Sequence, residues 1–325
     1  MTPPDDTPPR GAALSSPEEG RATSLGEIAV LFLRLGLTAF GGPAAHIALM
    51  QQEVVERRKW LTQEQFLDLI GAANLIPGPN STEVAIHIGF QRARWAGLLL
   101  AGLCFILPAA LMVGAIAWAY VRFGHLPQVA GILYGVKPVI IAVVAQALWG
   151  LGRTALKTKE RMAVGLLAAL CAFGGVDELV LLFGAGTLVG GIQWARQPQH
   201  SVKPLLLFVS AALVLAAAPF LFHRYVTVAS TFGLWPLFLF FTKVGSVLYG
   251  SGYVLLAFLR NDLVIRWRWL TSAQLLDAVA VGQVTPGPVF TTATFIGYVL
   301  AGPKGAVAAT VGIFLPAFIF VALSG

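Results

Sequence analysis

The amino-acid sequence predicts an all-α polytopic membrane protein made of two homologous repeats. Hydrophobic residues fill 57% of the 325 positions and charged residues only 11%, with a mean hydropathy of +0.78. Soluble domains contain about 25% charged residues, so this composition excludes them. Apolar runs follow one another along the chain, and the tripeptide Pro-Gly-Pro interrupts two of them at matching places in the two halves.

The N-terminus differs from the rest of the chain. Residues 1–24 are rich in proline and polar residues, so they cannot bury enough apolar surface to offset the entropy of ordering. We expect a disordered tail here. It lacks the basic region and adjoining apolar core of a signal peptide, which makes the first apolar run a permanent anchor.

Three further regions follow the tail. We expect the first repeat at residues 25–195, a connecting segment at 196–230 and the second repeat at 231–325. The second repeat is incomplete relative to the first, because the sequence ends nine residues after Pro316 whereas the first repeat continues about 87 residues beyond the matching Pro108.

Most of ten apolar runs have the length that crosses a bilayer, which is roughly 17–25 residues, whereas Met162–Gly175 is short and could be a buried or tilted piece. They lie near Ile28–Met50, Phe66–Gly89, Trp95–Tyr120, Val129–Trp149, Met162–Gly175, Leu179–Trp194, Leu205–Phe222, Leu234–Leu259, Leu275–Leu300 and Val307–Leu323. We therefore expect about ten membrane segments, some of them bent or re-entrant.

The second half of the chain repeats the first at an offset of 209 residues. In this register Trp60-Leu61-Thr62 aligns with Trp269-Leu270-Thr271, and Pro77-Gly78-Pro79 aligns with Pro286-Gly287-Pro288. Apolar composition alone would not align tryptophan and proline together. The pattern therefore indicates an internal duplication.

The two Pro-Gly-Pro tripeptides predict broken helices. Proline removes a backbone donor and glycine permits unusual dihedral angles, so each tripeptide stops a helix and frees polar backbone groups. Within a membrane such groups survive only where protein or a water-filled cavity surrounds them. Two broken segments in corresponding positions are typical of a transporter site.

We expect the second repeat to be inverted relative to the first. If every run crosses the membrane, seven steps separate the first segments of the two repeats, and an odd number reverses the orientation. If the Pro-Gly-Pro segments are re-entrant hairpins, the count becomes even and the repeats run parallel. A second re-entrant segment at Gly41-Gly42-Pro43 restores the odd count.

The net charge of +7 does not indicate nucleic-acid binding, because the basic residues cluster at the ends of apolar runs, where they set membrane orientation. Neither a cofactor motif nor a set of metal ligands is recognisable. A membrane-embedded enzyme would need a nucleophile with a base or such a ligand set, so we expect no enzymatic activity.

Several stretches resemble the chromate ion transporter family. In the first half they are residues 32–46 (FLRLGLTAFGGPAAH), 58–61 (RKWL) and 73–83 (ANLIPGPNSTE). The second half, with residues 243–245 (KVG) and 283–288 (QVTPGP), is similar to the second domain of long-chain members. The resemblance covers roughly residues 27–325.

The resemblance implies a multi-pass protein of the bacterial inner membrane that exports chromate, with sulfate as the related oxyanion and the proton gradient as the energy source. It would confer chromate resistance as a secondary transporter, for example an antiporter. A homodimer in the lipid bilayer is compatible with these features. A flippase for a lipid-linked phosphate is the alternative, because the same helix ends would bind phosphate.

The broken helices suit an oxyanion. A helix restarting after Pro79 presents unpaired amides and a partial positive charge, and nearby polar side chains add donors. The plain alternative is that Asn80 and Ser81 merely cap the helix. The residues expected at the substrate site are Asn74, Pro77, Gly78, Pro79, Asn80, Ser81, Thr82, Gln283, Pro286, Gly287, Pro288, Thr291, Thr292, Arg34 and Lys243.

Four ionisable residues within apolar runs also enter the prediction. Arg34 and Lys243 occupy equivalent positions, where they either compensate the charge of a dianion or extend to the membrane interface. Glu83 and His87 stand four residues apart on one helix face, where they either hand on protons or form a neutralised pair.

Overall fold

The computed structural model describes residues 24–124, 157–174, 178–195, 232–248 and 252–324, with isolated helical positions between 131 and 153. All secondary-structure elements of these residues are helices. Three predicted parts lie outside the described residues: the tail apart from Ser24, most of Val129–Trp149, and the whole connecting segment at 196–230, which includes Leu205–Phe222.

The first repeat begins with four helices. They are α1 (Leu25–Thr38), α2 (Gly42–Gln51), α3 (Gln63–Leu75) and α4 (Asn80–Phe123), and a π-helical turn (Gln52–Arg57) continues α2. Capping boxes start two of them, with Ser24 bonded to Glu27 before α1 and Thr62 bonded to Gln65 before α3. Gly41 and Gly42 have φ of 100° and 76°, and they allow the chain to break between α1 and α2.

Two helices precede the second set. They are α5 (Lys159–Phe173), capped by Thr158, and α6 (Glu178–Ala195). These helices fall on the predicted runs Met162–Gly175 and Leu179–Trp194, and they pack against each other.

The second set of helices repeats the order of the first. It comprises α7 (Leu234–Val247), α8 (Gly252–Leu259), a π-helical turn (Arg260–Arg266), α9 (Ser272–Val284), a 3-10 turn (Val289–Thr291) and α10 (Thr292–Ser324). The first residues of α7 and α9 lie 209 positions after those of α1 and α3. A residue in the left-handed backbone conformation also precedes the third helix of each set. It is Lys59 before α3, with φ of 52°, and Arg268 before α9, with φ of 54°.

Helices α4 and α10 each fold back on themselves. Ala93 and Arg94 leave helical geometry, and the backbones of Gly89 and Gly97 touch across this bend. In a straight helix these glycines would lie about 12 Å apart along the axis. The bend therefore divides α4 into limbs at residues 80–92 and 95–123. Helix α10 divides in the same way at 301–302, where Gly297 meets Gly305.

Asn80–Phe123 and Val289–Ser324 are the two stretches of the described part that are both long and apolar enough to cross a membrane. Within them the long second limbs supply the spanning length. The predicted run Phe66–Gly89 is instead divided between α3 and the first limb of α4, and neither piece alone has the length of a span. The total of ten segments stays a prediction.

The long limbs of α4 and α10 join the two halves. Ile106 and Val113 of α4 lie in one buried cluster with Phe240 and Ile313 of the second half. The outer face of α4 carries a leucine every fourth residue, and all four side chains are exposed (Leu99, Leu103, Leu107 and Leu111). In a bilayer this stripe would contact lipid, as expected for a surface without polar groups.

Candidate functional site

The two Pro-Gly-Pro breaks have the same form. Helix α3 ends at Leu75, and α4 begins at Asn80, directly after Pro79, where the sequence predicts a restart. In the second repeat α9 ends at Val284 and the 3-10 turn follows Pro288. The central glycines have φ of 146° at Gly78 and 86° at Gly287, values that side-chain-bearing residues rarely adopt.

The chain turns back at each break. In the first, the side-chain Nδ2 of Asn80 donates a hydrogen bond of 2.6 Å to the side-chain Oδ1 of Asn74 on α3. In the second, the Cα of Gly282 on α9 lies against the side chain of Thr292 on α10. Both contacts join residues on opposite sides of a break. The short helices before and after each tripeptide therefore form a hairpin.

Each break is hydrogen-bonded to the first helix of the other repeat. The Gly78 N–H donates to the Leu248 carbonyl over 2.8 Å, and the Gly287 N–H donates to the Ala39 carbonyl over 2.9 Å. Ala39 and Leu248 are equivalent residues, each of which caps the C-terminus of the first helix of its repeat. These two contacts, the reciprocal break bonds, bring the two breaks into one central region.

His46 connects this region and was missed by sequence reasoning. Its buried ring lies 3.1 Å from the Ala39 carbonyl through Nε2 and 3.2 Å from the Ser81 hydroxyl through Nδ1. The Phe105 ring meets it edge-on. The available signal was a histidine within an apolar run, four residues after Gly42, where the second repeat has Leu255.

The predicted polar side chains differ in what they offer a ligand. Ser81 is bonded to His46, whereas the buried Thr82 hydroxyl and the Asn80 side-chain oxygen have no hydrogen-bond partner in the described part of the chain. The hydroxyls of Thr291 and Thr292 donate to the Pro288 and Val289 carbonyls, both over 2.8 Å. Their protons are therefore engaged within the second break.

Gln283 is partly exposed and precedes the second break by three residues. Asn74 is exposed on the other hairpin. All three residues of each tripeptide, Pro77-Gly78-Pro79 and Pro286-Gly287-Pro288, are buried. The breaks thus lie inside the protein, and the polar residues before them lie nearer its surface.

Glu83 and His87 are both buried on the first limb of α4. Among the described residues, neither oxygen of Glu83 nor Nε2 of His87 has a hydrogen-bond partner, so no hydrogen bond involving these atoms joins the two side chains. The Glu83 carboxyl packs against the Cα of Gly78 at the first break. A buried carboxylate without a partner is costly when ionised, and uptake of a proton removes that cost.

Arg34 and Lys243 each bind a carboxylate of their own repeat. Lys243 Nζ lies 3.3 Å from Asp262, and Arg34 Nη1 lies 3.7 Å from the equivalent Glu53. The side chain of Arg34 is 61% exposed and that of Lys243 17%. In this conformation both cations are paired, and a substrate anion would compete with the carboxylates for them.

Glu53 also binds Arg57 at 2.6 Å and Arg58 at 3.5 Å. Burial by itself raises the pKa of the Glu53 carboxyl, but the hydrogen bond and charge of Arg57, with Arg34 and Arg58, hold that pKa below its ordinary value. The ionised form is thus favoured in the folded state. Its stabilising contribution is present above the unfolded pKa and is lost as the pH falls through the folded one.

Replacing Glu53 by glutamine should lower the thermal stability of the purified protein at pH 7, by about 1–3 kcal/mol, because the neighbouring arginines lose their shared carboxylate. The difference from the wild type should begin to shrink as the pH falls below the ordinary pKa of glutamate, about 4.3, and should vanish once the pH is below the lower pKa of the folded state. Melting curves between pH 3 and 7 measure this. The exposed neighbour Glu56, changed to glutamine, is the control, and equal effects of the two variants at every pH would contradict the prediction.

Comparison with known proteins identifies the family. Residues 26–192 and 235–325 match the sequence profile described as "Chromate transporter". A chromate transport protein of Cupriavidus metallidurans is 34% identical over 323 residues, which cover 97% of this chain and 78% of that protein. The chromate transport protein of Pseudomonas aeruginosa is 35% identical over 296 residues, or 89% of this chain and 70% of that protein.

No solved structure matches the chain. The family profile nevertheless includes the residues of both broken helices, and the named relatives are chromate transport proteins. The chain therefore belongs to the chromate transporter family of membrane proteins.

Proposed function

We propose that this protein is a secondary transporter that exports chromate, or a related tetrahedral oxyanion such as sulfate, across the bacterial inner membrane. Transport is coupled to the transmembrane proton gradient. The names of the relatives support chromate as the transported ion. The observation that carries the site is the pair of reciprocal break bonds, which bring two interrupted helices together inside the protein.

The start of α4 supplies the anion-binding groups. The amides of Asn80 and Ser81 precede the first hydrogen bonds of the helix, in which Thr82 and Glu83 donate to the Pro79 carbonyl, and the helix dipole adds a partial positive charge. The unpartnered hydroxyl of Thr82 lies in the same turn. Because a tetrahedral dianion needs donors from more than one direction, we assign the second side of the site to Pro286-Gly287-Pro288 and its neighbours. Arg34 and Lys243 would compensate charge after release from their carboxylates.

Protons move through Glu83 and His87 in this proposal. Both are buried near the first break, and the second repeat has Thr292 and Ile296 at the equivalent positions. A dianion entering this region would meet an ionised Glu83 with strong repulsion. Protonation of Glu83 removes this repulsion. The alternative, a flippase for a lipid-linked phosphate, is not favoured, because the relatives named above are chromate transport proteins.

We also propose that the two repeats are inverted. Reciprocal bonds between equivalent residues are what a pseudo-two-fold axis produces, and an axis in the membrane plane would reverse one repeat relative to the other. A homodimer stays a prediction.

Adding a methyl group at the breaks should impair transport more than folding. Gly78→Ala would push the flexible Glu83 carboxyl aside, and Gly287→Ala would crowd Ala109 and the Gly36 carbonyl, at 2.7 and 3.0 Å. Chromate flux in inverted vesicles, measured with and without a pH gradient, should fall at least about tenfold in the double variant, which corresponds to about 1.4 kcal/mol. Gly42→Ala is the matched control, because Gly42 also has positive φ but has no atom within 4 Å of an added Cβ. Wild-type flux in a well-expressed double variant would place the site elsewhere.

Glu83→Gln should uncouple chromate flux from the pH gradient and leave anion binding largely intact, since the amide keeps the shape of the carboxyl but cannot carry the proton. The measurement is flux at several imposed pH gradients, with chromate binding followed in parallel. Asp68→Asn serves as the control, because Asp68 is exposed on α3. A variant that still responds to the gradient like the wild type would argue against Glu83 as a carrier.

Single cysteines at Lys59 and Arg268 should react with a membrane-impermeant reagent from opposite sides of the membrane. Both positions are exposed and hold the same left-handed turn in their repeats. The background lacks Cys104 and Cys171. Reaction of both from one side would show that the repeats are parallel.

A further inference from the structure

The hydrogen bonds of His46 define its protonation pattern. The Ala39 carbonyl only accepts hydrogen bonds, so Nε2, which lies 3.1 Å from it, carries a proton. In the neutral ring Nδ1 is then an acceptor, and the Ser81 hydroxyl, 3.2 Å away, must donate to it. The single proton of Ser81 is thereby directed away from any ligand at the start of α4.

A second proton on His46 reverses this bond. The imidazolium carries hydrogen on both nitrogens, so Nδ1 would donate to Ser81 and the serine oxygen would accept. The Ser81 proton is then free to point elsewhere. It lies in the same first turn as the unpartnered Thr82 hydroxyl and the amides assigned to the oxyanion. Protonation therefore adds a hydrogen-bond donor and a positive charge to the site.

We propose that His46 is a positioning residue that links proton binding to oxyanion binding through Ser81. This inference rests on the proposed function. A proton from water binds Nδ1, the Ser81 hydroxyl turns toward the anion, and both changes reverse when the anion leaves. The proton on His46 offsets one of the two negative charges of the bound dianion.

Other ionisable groups on neighbouring elements do not bond to His46. Helix α4 carries Glu83, His87, Arg92 and Arg94, α1 carries Glu27 and Arg34, and the π-helical turn after α2 carries Glu53, Glu56 and Arg57. In the described part of the chain, the hydrogen bonds of the His46 ring go to Ser81 and Ala39. The second break contributes the Gly287 amide, which shares the Ala39 carbonyl.

The link exists once in each chain. At the positions equivalent to His46 and Ser81 the second repeat has Leu255 and Phe290, both buried and apolar. We therefore expect this link to contribute one proton, bound by His46, to each binding event.

The test compares chromate affinity with pH in purified wild-type protein, His46→Gln, Ser81→Ala and the double variant. Loss of a hydrogen bond to a charged ligand weakens binding by about tenfold or more. Wild-type affinity should therefore fall by at least about tenfold as the pH rises, and each single variant should flatten this dependence. The double variant should show the same flattened pH dependence of affinity as each single variant. Protonation of chromate itself affects every protein equally at a given pH, so it cancels from the comparison between the variants and the wild type.

Thr38→Val is the control, since it removes an exposed hydroxyl that donates to its own helix at Arg34. It should keep the wild-type pH profile. Ser81→Ala decides the question alone if His46→Gln does not fold. Chromate binding with an unchanged pH profile in Ser81→Ala would overturn the link and leave the proposed function standing. Absence of chromate binding and flux in the wild type at every pH would overturn the proposed function, and the link with it.

Discussion

Polar backbone groups that a helix break frees inside a membrane need partners, and this requirement organises the molecule. Gly78 and Gly287 lie where proline and positive φ end a helix, and their amides would be unsatisfied in hydrocarbon. Each finds the carbonyl at the end of the first helix of the other repeat. The close contact of Gly36 with the Phe105 carbonyl, and of Gly245 with that of Ile313, holds those first helices against α4 and α10.

The repeated scaffold carries unequal chemistry. In the first repeat the turn after the break has Ser81 bonded to His46 and a buried Glu83 that has no hydrogen-bond partner among the residues the structure describes. In the second, Thr291 and Thr292 donate to backbone carbonyls of their own turn, and Phe290 replaces the serine. The threonine hydroxyls of the second break are thus bonded locally, whereas the first break leaves polar side-chain atoms available. We infer that the first break provides most of the ligand chemistry and the second mainly encloses it.

Much of this architecture could be predicted from the sequence, for identifiable reasons. Proline and glycine act locally, so the ends of α3 and α9 and the restart at Asn80 follow from the tripeptides themselves. The capping pairs at Thr62 and Thr271 are equally local. What could not be predicted depends on distant partners. Nothing in the neighbourhood of Arg34 reveals that Glu53 binds it, and His46 looks like an ordinary residue of an apolar run until Ser81 and Ala39 are placed beside it.

The bend in α4 and α10 escaped prediction for another reason. The sequence of a long apolar run does not indicate where the chain folds back. Two glycine pairs touch at the bends, Gly89 with Gly97 and Gly297 with Gly305, but in the sequence they resemble any other small residues. Hydropathy measures the length of apolar chain and not its path. Counts of membrane crossings from such runs therefore change when the path is known.

The reciprocal break bonds also bear on how such a chain is assembled. A polypeptide with the first repeat alone would contain the Gly78 amide but not the Leu248 carbonyl that accepts its hydrogen bond. Pairing with a second half-length chain would supply a carbonyl for this amide, so association of separate halves and their fusion meet the same physical need. Fusion of the two halves into one polypeptide ensures that they are present in equal amounts. The side chains of one half can then change to bind a ligand, while the other half keeps the backbone contacts that hold the two breaks together.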